Sequence, residues 1–219
     1  MPVRQRANRY GLAEVLEISP TQPAPSEIRR VARWIRGGAV VAIPTDTVYG
    51  LAADPFNERA VAEIFRVKRR QETLPILLLI DSADRVDDLA SIRPTAFRRL
   101  ASRFWPGPLT IVLPASGRIS EAVTAGTGSV AVRQPSSAFV RALARAVGGT
   151  LTGTSANISG RPACLSASQV IRQLGASVPY IVNGGFSRVR RPSTIVDLTG
   201  EPRILREGAI PGRLVLDSL

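Results

Sequence analysis

The chain of 219 residues is 44% hydrophobic and 21% charged, and its formal net charge is +12. It contains no histidine and one cysteine, which excludes Ser-His-Asp and Cys-His nucleophile systems, the usual zinc ligand sets and an intrachain disulfide. A site built from arginine, lysine, hydroxyl and amide groups suits anion binding and the stabilisation of developing charge better than proton transfer. The positive charge favours partners such as nucleotides or RNA, although a proteome that prefers arginine throughout would give the same surplus.

Length and composition predict one main domain, residues 26–210, after an N-terminal extension, 1–25, that holds the first strand. Residues 211–219 form a C-terminal tail that is too short to be a further domain. No apolar run is long enough to span a bilayer, and no signal-peptide core lies near Met1. The early arginines resemble an organelle presequence, but a predicted strand follows them directly. We therefore expect a cytoplasmic protein without membrane contact.

Apolar runs of strand length recur along the chain at residues 14–18, 39–43, 74–80, 109–114, 129–133, 180–183, 193–198 and 203–207. Helical periods lie between them, in segments that begin at Ser26, at Asn57, at Thr95, at Ser136 or Ser137, and at Ser166. This alternation indicates an α/β fold, and the closely spaced last strands indicate hairpins. We therefore predict one twisted mixed sheet flanked by helices, with a ligand cleft at the strand ends.

Two common phosphate-binding motifs do not apply to this chain. Residues 126–131, GTGSVA, match a dinucleotide fingerprint, but they lead into a strand and not into the helix whose N-terminus would bind a pyrophosphate. The chain has no GxxxxGK[ST] motif. A phosphate site must therefore be assembled from side chains and turns that are far apart in sequence.

Lys68 is conspicuous because every other one of the 29 basic residues is arginine. An ammonium group is a compact point charge that fits among crowded phosphate oxygens where a planar guanidinium does not. The sequence therefore predicts that Lys68 binds phosphate. The alternative is a solvated lysine at the end of a helix.

The run TLTGTSANISGRPA, residues 150–163, has more small hydroxyl residues than an ordinary connection. GTSAN resembles a nucleophile elbow, but Asn157 replaces the final glycine and no histidine exists to activate Ser155. Ser155 and Asn157 are therefore predicted to form hydrogen bonds with a ligand. The alternative is an Asx or Ser turn that satisfies its own backbone.

A series of motifs covers the chain from Gly37 to Gly208: PTDTVYGL, the K-x-R of Lys68 and Arg70, FWPGPLTIVL, SVAVRQP, TSANISG, PSTIVDL and ILREG. In sequence and order they resemble the YrdC family in its short, single-domain form. The resemblance implies that L-threonine, bicarbonate and ATP, supplied with Mg²⁺, become threonylcarbamoyl-AMP and pyrophosphate. That product leads to threonylcarbamoyladenosine at position 37 of tRNA, so a partner transferase complex is also implied.

The resemblance also implies which residues form the site. A guanidinium fork matches a carboxylate, so Arg133 would hold the carboxylate of threonine. The residues that would contact threonine are Thr47, Arg133, Gly153 and Ser193. The residues that would contact ATP are Arg70, Ser129, Ser155, Ala163 and Arg206. The tetrad that the family associates with activity is Lys68, Arg70, Ser155 and Asn157.

The chain departs from the family pattern at Leu74, at Leu79, where some relatives have histidine, and at Glu207, where relatives often have proline. Two other functions also stay open. One is a non-catalytic module that binds duplex RNA or tRNA, since the same basic surface could hold a phosphate backbone weakly. The other is a carbamoyl-transfer relative. An aromatic content of 5% counts against a single-strand stacking platform.

Overall fold

The structure is a computed structural model, and it describes residues 13–69, 75–175, 177–187 and 189–219. The strands in these ranges are β1 (Glu14–Glu17), β2 (Val41–Ile43), β3 (Gly50–Ala52), β4 (Leu77–Ile80), β5 (Leu109–Pro114), β6 (Ser129–Arg133), β7 (Thr150–Thr152), β8 (Thr154–Ser155), β9 (Tyr180–Asn183), β10 (Thr194–Asp197) and β11 (Arg203–Arg206). The α-helices are α1 (Pro25–Arg36), α2 (Glu58–Lys68), α3 (Val86–Leu89), α4 (Thr95–Phe104), α5 (Glu121–Thr124), α6 (Ala138–Ala146), α7 (Ala167–Leu174) and α8 (Gly212–Leu216). None of the helices in the described ranges has the length and apolar character needed to cross a membrane.

The strands form two mixed sheets. The first sheet has the order β1-β9-β2-β3-β8, and the second has the order β11-β10-β5-β6-β4-β7. Both sheets contain parallel and antiparallel pairs. In the first sheet β9 is parallel to β1 and β3 is antiparallel to β2, and in the second β4 is parallel to β6 and β5 is antiparallel to β6. The predicted α/β class with mixed pairing is confirmed, but the strands are divided between two sheets and not joined in one. Apolar patterns identify strands without stating which strands pair, so the division could not be seen in the sequence.

Gly153 is the point where the chain passes from one sheet to the other. β7 pairs with β4 of the second sheet, whereas β8 pairs with β3 of the first. A Cβ atom at position 153 would lie 2.4 Å from Cγ of Leu79, which no real contact allows. Glycine is therefore required here by close packing, and the crossing carries the residues after Gly153 into the first sheet, at the edge of the cleft.

Two apolar cores hold the helices against the sheets. In the smaller core, α1 and α6 contribute Val31, Ile35, Phe139 and Leu143, which are fully buried and pack with Leu79 of the second sheet. The same cluster contains residues of β2 and β9 in the first sheet, so it joins the two sheets. Each such side chain contributes about 1.5–3 kcal/mol when buried. The larger core includes α2, α4 and α7.

Helix starts agree with the sequence at some positions and differ at others. Asn57 caps α2 by accepting from the Ala60 amide at 3.2 Å, and Ser166 caps α7, as predicted. Ser137, and not Ser136, caps α6. The prediction that Ser26 caps α1 is wrong, because the helix begins at Pro25, a residue suited to the first helical position.

Candidate active site

A cleft of about 400 Å³ lies where β3 and β8 of the first sheet meet β5, β6, β10 and β11 of the second. Within the described part of its lining, the charged side chains are Lys68, Arg133 and Arg206, and none is acidic. Such a lining favours an anionic ligand. The two sheets thus form opposite walls of a basic cleft.

Most of the predicted site residues line this cleft: Thr47, Lys68, Arg133, Gly153, Ser155, Asn157, Ser193 and Arg206. They come from segments far apart in sequence, and the fold brings them together. Arg70 lies outside the described residues, so its predicted role stays a prediction.

Ser129 and Ala163 are not part of the lining. Ser129 begins β6 and shares a face with Ala131 and Arg133, because alternate residues of a strand point the same way. Ser129 is therefore the next residue along the face of β6 that lines the cleft. Its hydroxyl forms a 2.8 Å hydrogen bond with the hydroxyl of Thr127. Ala163 is half-buried in the loop that follows the Ser-Ala-Asn turn. The predicted ATP contacts of both residues stay predictions.

Lys68 is buried, with 3% of its surface exposed, so the alternative of a solvated lysine is wrong. Its Nζ donates to the backbone carbonyl oxygens of Ser155 and Asn157, the latter at 3.0 Å. The backbone carbonyl of Lys68 in turn accepts from the Ser159 amide at 3.0 Å. As the last residue of α2, Lys68 also places its charge at the negative end of the helix dipole. The lysine therefore holds the Ser-Ala-Asn turn in the cleft.

Asn157 is oriented by its own loop. Its Nδ2 donates to the carbonyl oxygens of Ile158 at 2.9 Å and Arg161 at 2.7 Å. Its Oδ1 is buried and accepts no hydrogen bond from the described residues. The predicted turn is therefore present, and among the described residues it uses the Nδ2 donor of the side-chain amide but not the Oδ1 acceptor. The oxygen remains available to a donor or a cation that enters the cleft.

Arg133 is the most deeply buried cation of the cleft, with 2% of its surface exposed. Its Nη1 donates to both carboxylate oxygens of Asp46, at 3.1 and 3.2 Å, while its Nε is buried without a partner among the described residues. Burial lowers the pKa of Arg133, and the charge of Asp46 opposes that shift. One side of the guanidinium is thus satisfied by the protein, and the other side has a donor without an acceptor.

Arg206 lies on the neighbouring wall and has neutral partners. Its Nη2 donates to the carbonyl oxygen of Ser193 at 2.8 Å and to the Ser193 hydroxyl at 3.3 Å. Burial lowers its pKa, and the positive charge of Arg133 lowers it further. Two cations that disfavour each other in this way would both be stabilised by a bound anion.

Hydroxyl groups surround the two arginines. The hydroxyls of Ser193 and Thr110 are 2.7 Å apart and buried. In the PTDT loop, Thr45 Oγ1 donates to the Val48 carbonyl at 2.6 Å and accepts from the Thr47 amide at 3.1 Å. These bonds fix the buried Thr47 beside the cleft.

The family model for Sua5/YciO/YrdC proteins, described as "Telomere recombination", matches residues 33–208. The chain belongs to this family. It is 40% identical over 186 residues to the threonylcarbamoyl-AMP synthase of Pyrococcus abyssi, which covers 84% of this chain and 55% of that protein. It is 37% identical over 186 residues to the threonylcarbamoyl-AMP synthase of Vibrio vulnificus, which covers 84% of this chain and 99% of that protein.

The fold of this family member agrees with a solved relative. The structure of P. abyssi Sua5 complexed with L-threonine superposes with a TM-score of 0.90 and 36% identity, and the match covers 94% of this chain and 60% of that one. The chain thus spans little more than half the length of the P. abyssi relative and nearly all of the Vibrio one. The resemblance to the YrdC family is confirmed.

Among the residues at this YrdC-family cleft that were not predicted from the sequence are Asp46, which pairs with Arg133, and Thr110. Asp46 lies in the PTDT motif that was singled out, and an acidic residue within a basic site was the available signal. Thr110 lies in a buried strand, where a threonine among Leu109, Ile111 and Val112 was the only indication. Asp46 contacts Arg133 and does not itself line the cleft, whereas Thr110 lines the cleft and also contacts the Ser193 hydroxyl.

The departures from the family pattern have structural consequences at two positions. Leu79 is fully buried and packs against Gly153, so this position makes an apolar contact. Glu207 accepts from the Gly212 amide at 2.9 Å and thereby caps the first residue of α8. Leu74 lies outside the described residues.

Proposed function

We propose that this chain is an L-threonylcarbamoyladenylate synthase, a nucleotidyltransferase that makes threonylcarbamoyl-AMP and pyrophosphate from L-threonine, bicarbonate and ATP. The observation that carries the proposal is the convergence of Lys68, the Ser-Ala-Asn turn, Arg133 and Arg206 in one basic cleft. The names of the relatives and the L-threonine complex of P. abyssi Sua5 support it.

The amino-acid end of the cleft is formed by Arg133, Ser193 and Thr47. Arg133 would bind the threonine carboxylate through its unsatisfied Nε side, since a guanidinium fork matches a carboxylate. Ser193 contacts Arg206, one of the residues assigned to the nucleotide. The two subsites are therefore adjacent, as a reaction between the amino acid and the α-phosphate requires.

The proposed reaction has two bond-forming steps. The threonine amine attacks the carbon of bicarbonate, and loss of water gives a carbamate. A carbamate oxygen then attacks the α-phosphorus, and the bond from that phosphorus to the departing pyrophosphate breaks. The described lining contains no carboxylate or imidazole, so the amine proton passes to solvent or to a phosphate oxygen. The cations of the cleft offset the charge that develops on the phosphates.

The number of polar contacts is sufficient for a nucleotide. Micromolar binding of ATP requires about 8 kcal/mol. Each hydrogen bond to a charged group contributes about 1.5–3 kcal/mol. Three or four such bonds, from Lys68, Ser155, Arg206 and further groups of the cleft, are therefore of the right order.

The residues present fit a Mg²⁺ ion that enters with ATP. The described residues contain no cluster of three or more acidic, cysteine or histidine side chains, so they offer no protein cage. The buried Oδ1 of Asn157, which lacks a partner among them, is a neutral oxygen of the kind that Mg²⁺ accepts. We propose that Asn157 would hold the ion together with the phosphates and water. When bound, the ion supplies charge neutralisation at the phosphates.

The product is a mixed anhydride, and the proposal therefore includes a transferase complex that passes the threonylcarbamoyl group to tRNA. Because ATP and tRNA are present in the cytoplasm, we propose that location for the enzyme. The RNA-binding module and the carbamoyl-transfer relative are not favoured, since the curated relatives are named threonylcarbamoyl-AMP synthase.

A substrate-omission assay tests the proposal. The protein is incubated with L-threonine, bicarbonate and Mg·ATP, and then with each substrate left out in turn, while pyrophosphate release and product mass are measured. We expect pyrophosphate only when all three are present, with a product of the mass of threonylcarbamoyl-AMP. Pyrophosphate release without threonine, or salt-sensitive RNA binding without turnover, would contradict the proposal.

A further inference from the structure

We propose that Asp46 is a positioning residue that fixes Arg133 in the orientation needed to bind the substrate carboxylate. The inference rests on the proposed function, because it takes L-threonine as the ligand of Arg133. Asp46 does not line the cleft itself. Among the described residues, the cleft residue that its side chain contacts is Arg133.

The contact geometry explains how one carboxylate orients the fork. Both oxygens of Asp46 accept from the same nitrogen, Nη1 of Arg133, at 3.1 and 3.2 Å. A guanidinium is planar and rigid, so fixing one nitrogen fixes the directions of the others. Nε of Arg133 is then left buried and without an acceptor among the described residues. A buried donor of this kind costs free energy until a ligand satisfies it.

Asp46 is itself held firmly. Its Oδ2 accepts from both the amide and the hydroxyl of Ser136, each at 3.1 Å. Its side chain is 10% exposed. The carboxylate therefore links the PTDT loop, the end of β6 and the segment that enters α6. Thr47, the next residue of the same motif, is positioned by the same loop.

Asp46 could either orient Arg133 or compete with the substrate carboxylate for it, and the charges of the cleft distinguish these two roles. If Asp46 merely competed with the substrate for Arg133, its removal would strengthen carboxylate binding. However, Arg133 is nearly fully buried, and Arg206 adds a second positive charge nearby. A buried ion that loses its partner is strongly destabilised, because the remaining charge is left uncompensated. Without Asp46 we therefore expect the guanidinium to turn towards water and lose its orientation.

The test compares how tightly the wild-type protein and matched variants bind two ligands, one with and one without a carboxylate. L-Threonine and L-threoninol, which lacks the carboxylate, are titrated calorimetrically into the wild-type protein, Asp46→Asn, Asp46→Glu and Asp81→Asn. Asp81 is the control, because it is another buried aspartate, paired with Arg85 and Arg145 at 3.3 Å and outside the cleft lining. The measured quantity is the ratio of the two dissociation constants.

We expect wild type to prefer threonine by about 100-fold, the equivalent of two tenfold steps of 1.4 kcal/mol. Asp46→Asn should reduce this preference to less than about tenfold, whereas Asp46→Glu and Asp81→Asn should keep most of it. A merely structural role of Asp46 would weaken both ligands equally, leave the ratio unchanged and overturn the inference. Tighter threonine binding by Asp46→Asn would overturn it as well.

The same experiment separates this inference from the proposed function. If wild type does not bind threonine, the proposed function fails and the inference fails with it. If wild type binds threonine and Asp46→Asn keeps the full preference, the inference alone fails. Should Asp46→Asn not fold, Ser136→Ala removes one of the two Ser136 donors to the carboxylate. We then expect a preference reduced by about threefold, and an unchanged ratio would overturn the inference.

Discussion

Arg133 and Arg206 lie in the same cleft, but the protein treats them differently. Arg133 is 2% exposed and paired with a carboxylate, whereas Arg206 is only partly buried and bound to the carbonyl and hydroxyl oxygens of Ser193. Within the described ranges, Arg206 forms no ion pair. Both have a lowered pKa, but an opposite charge offsets the shift at Arg133 while a like charge adds to it at Arg206.

The difference indicates a division of roles. A buried and paired guanidinium supplies direction, which suits a single planar carboxylate. A partly exposed guanidinium with neutral partners retains its charge for a flexible polyanion such as a triphosphate. Three predictions test this comparison.

The largest effect is expected for Arg133→Ala. It removes the predicted carboxylate contact and leaves Asp46 buried without its cation, so we expect unfolding to become easier by about 3–5 kcal/mol. The catalytic efficiency for threonine should fall by about 1,000-fold, because two charge-assisted bonds are lost. Steady-state kinetics and thermal melting measure the two effects. A variant with wild-type threonine kinetics would show that Arg133 does not bind the substrate.

A smaller effect is expected for Arg206→Gln. The KM for ATP should rise by about tenfold, the loss of roughly one charge-assisted bond, while the KM for threonine changes by less than about threefold. The melting temperature should stay the same or rise slightly, because the charge that disfavours Arg133 is removed. A strong fall in melting temperature would show that Arg206 stabilises the fold and would contradict its assignment to ligand binding.

The smallest effect is expected from salt on the wild-type protein. Exposed charges are screened within a Debye length of about 8 Å at physiological ionic strength, whereas buried pairs are screened much less. Raising the salt concentration should therefore weaken ATP binding several-fold and threonine binding less than about twofold. Calorimetric titration at two salt concentrations measures both. Equal salt dependence for the two ligands would remove the distinction between the two arginines.

The sequence predicted eight of the eleven strands that the described residues form and the starts of four of their helices, because these depend on local patterns, and the family motifs indicated eight of the residues that line the cleft. It missed β3, β7 and β8, which are only two or three residues long. It did not predict two sheets, since the passage at Gly153 depends on a contact with Leu79 that lies far away in sequence. The role of Asp46 was also missed, because it depends on a pairing with Arg133 across 87 residues. Lys68 was predicted only in part. Its importance followed from its being the single lysine, but its hydrogen bonds to the Ser-Ala-Asn turn depend on contacts far away in sequence.

The central claim is that residues distant in sequence form one cleft in which an amino acid and a nucleotide bind side by side. A crystal structure of the protein with L-threonine and a non-hydrolysable ATP analogue tests this claim most directly. We expect the threonine carboxylate against Arg133 and the triphosphate beside Lys68, Ser155 and Arg206. Ligand density outside this cleft, or nucleotide density that overlaps the position of threonine, would contradict it.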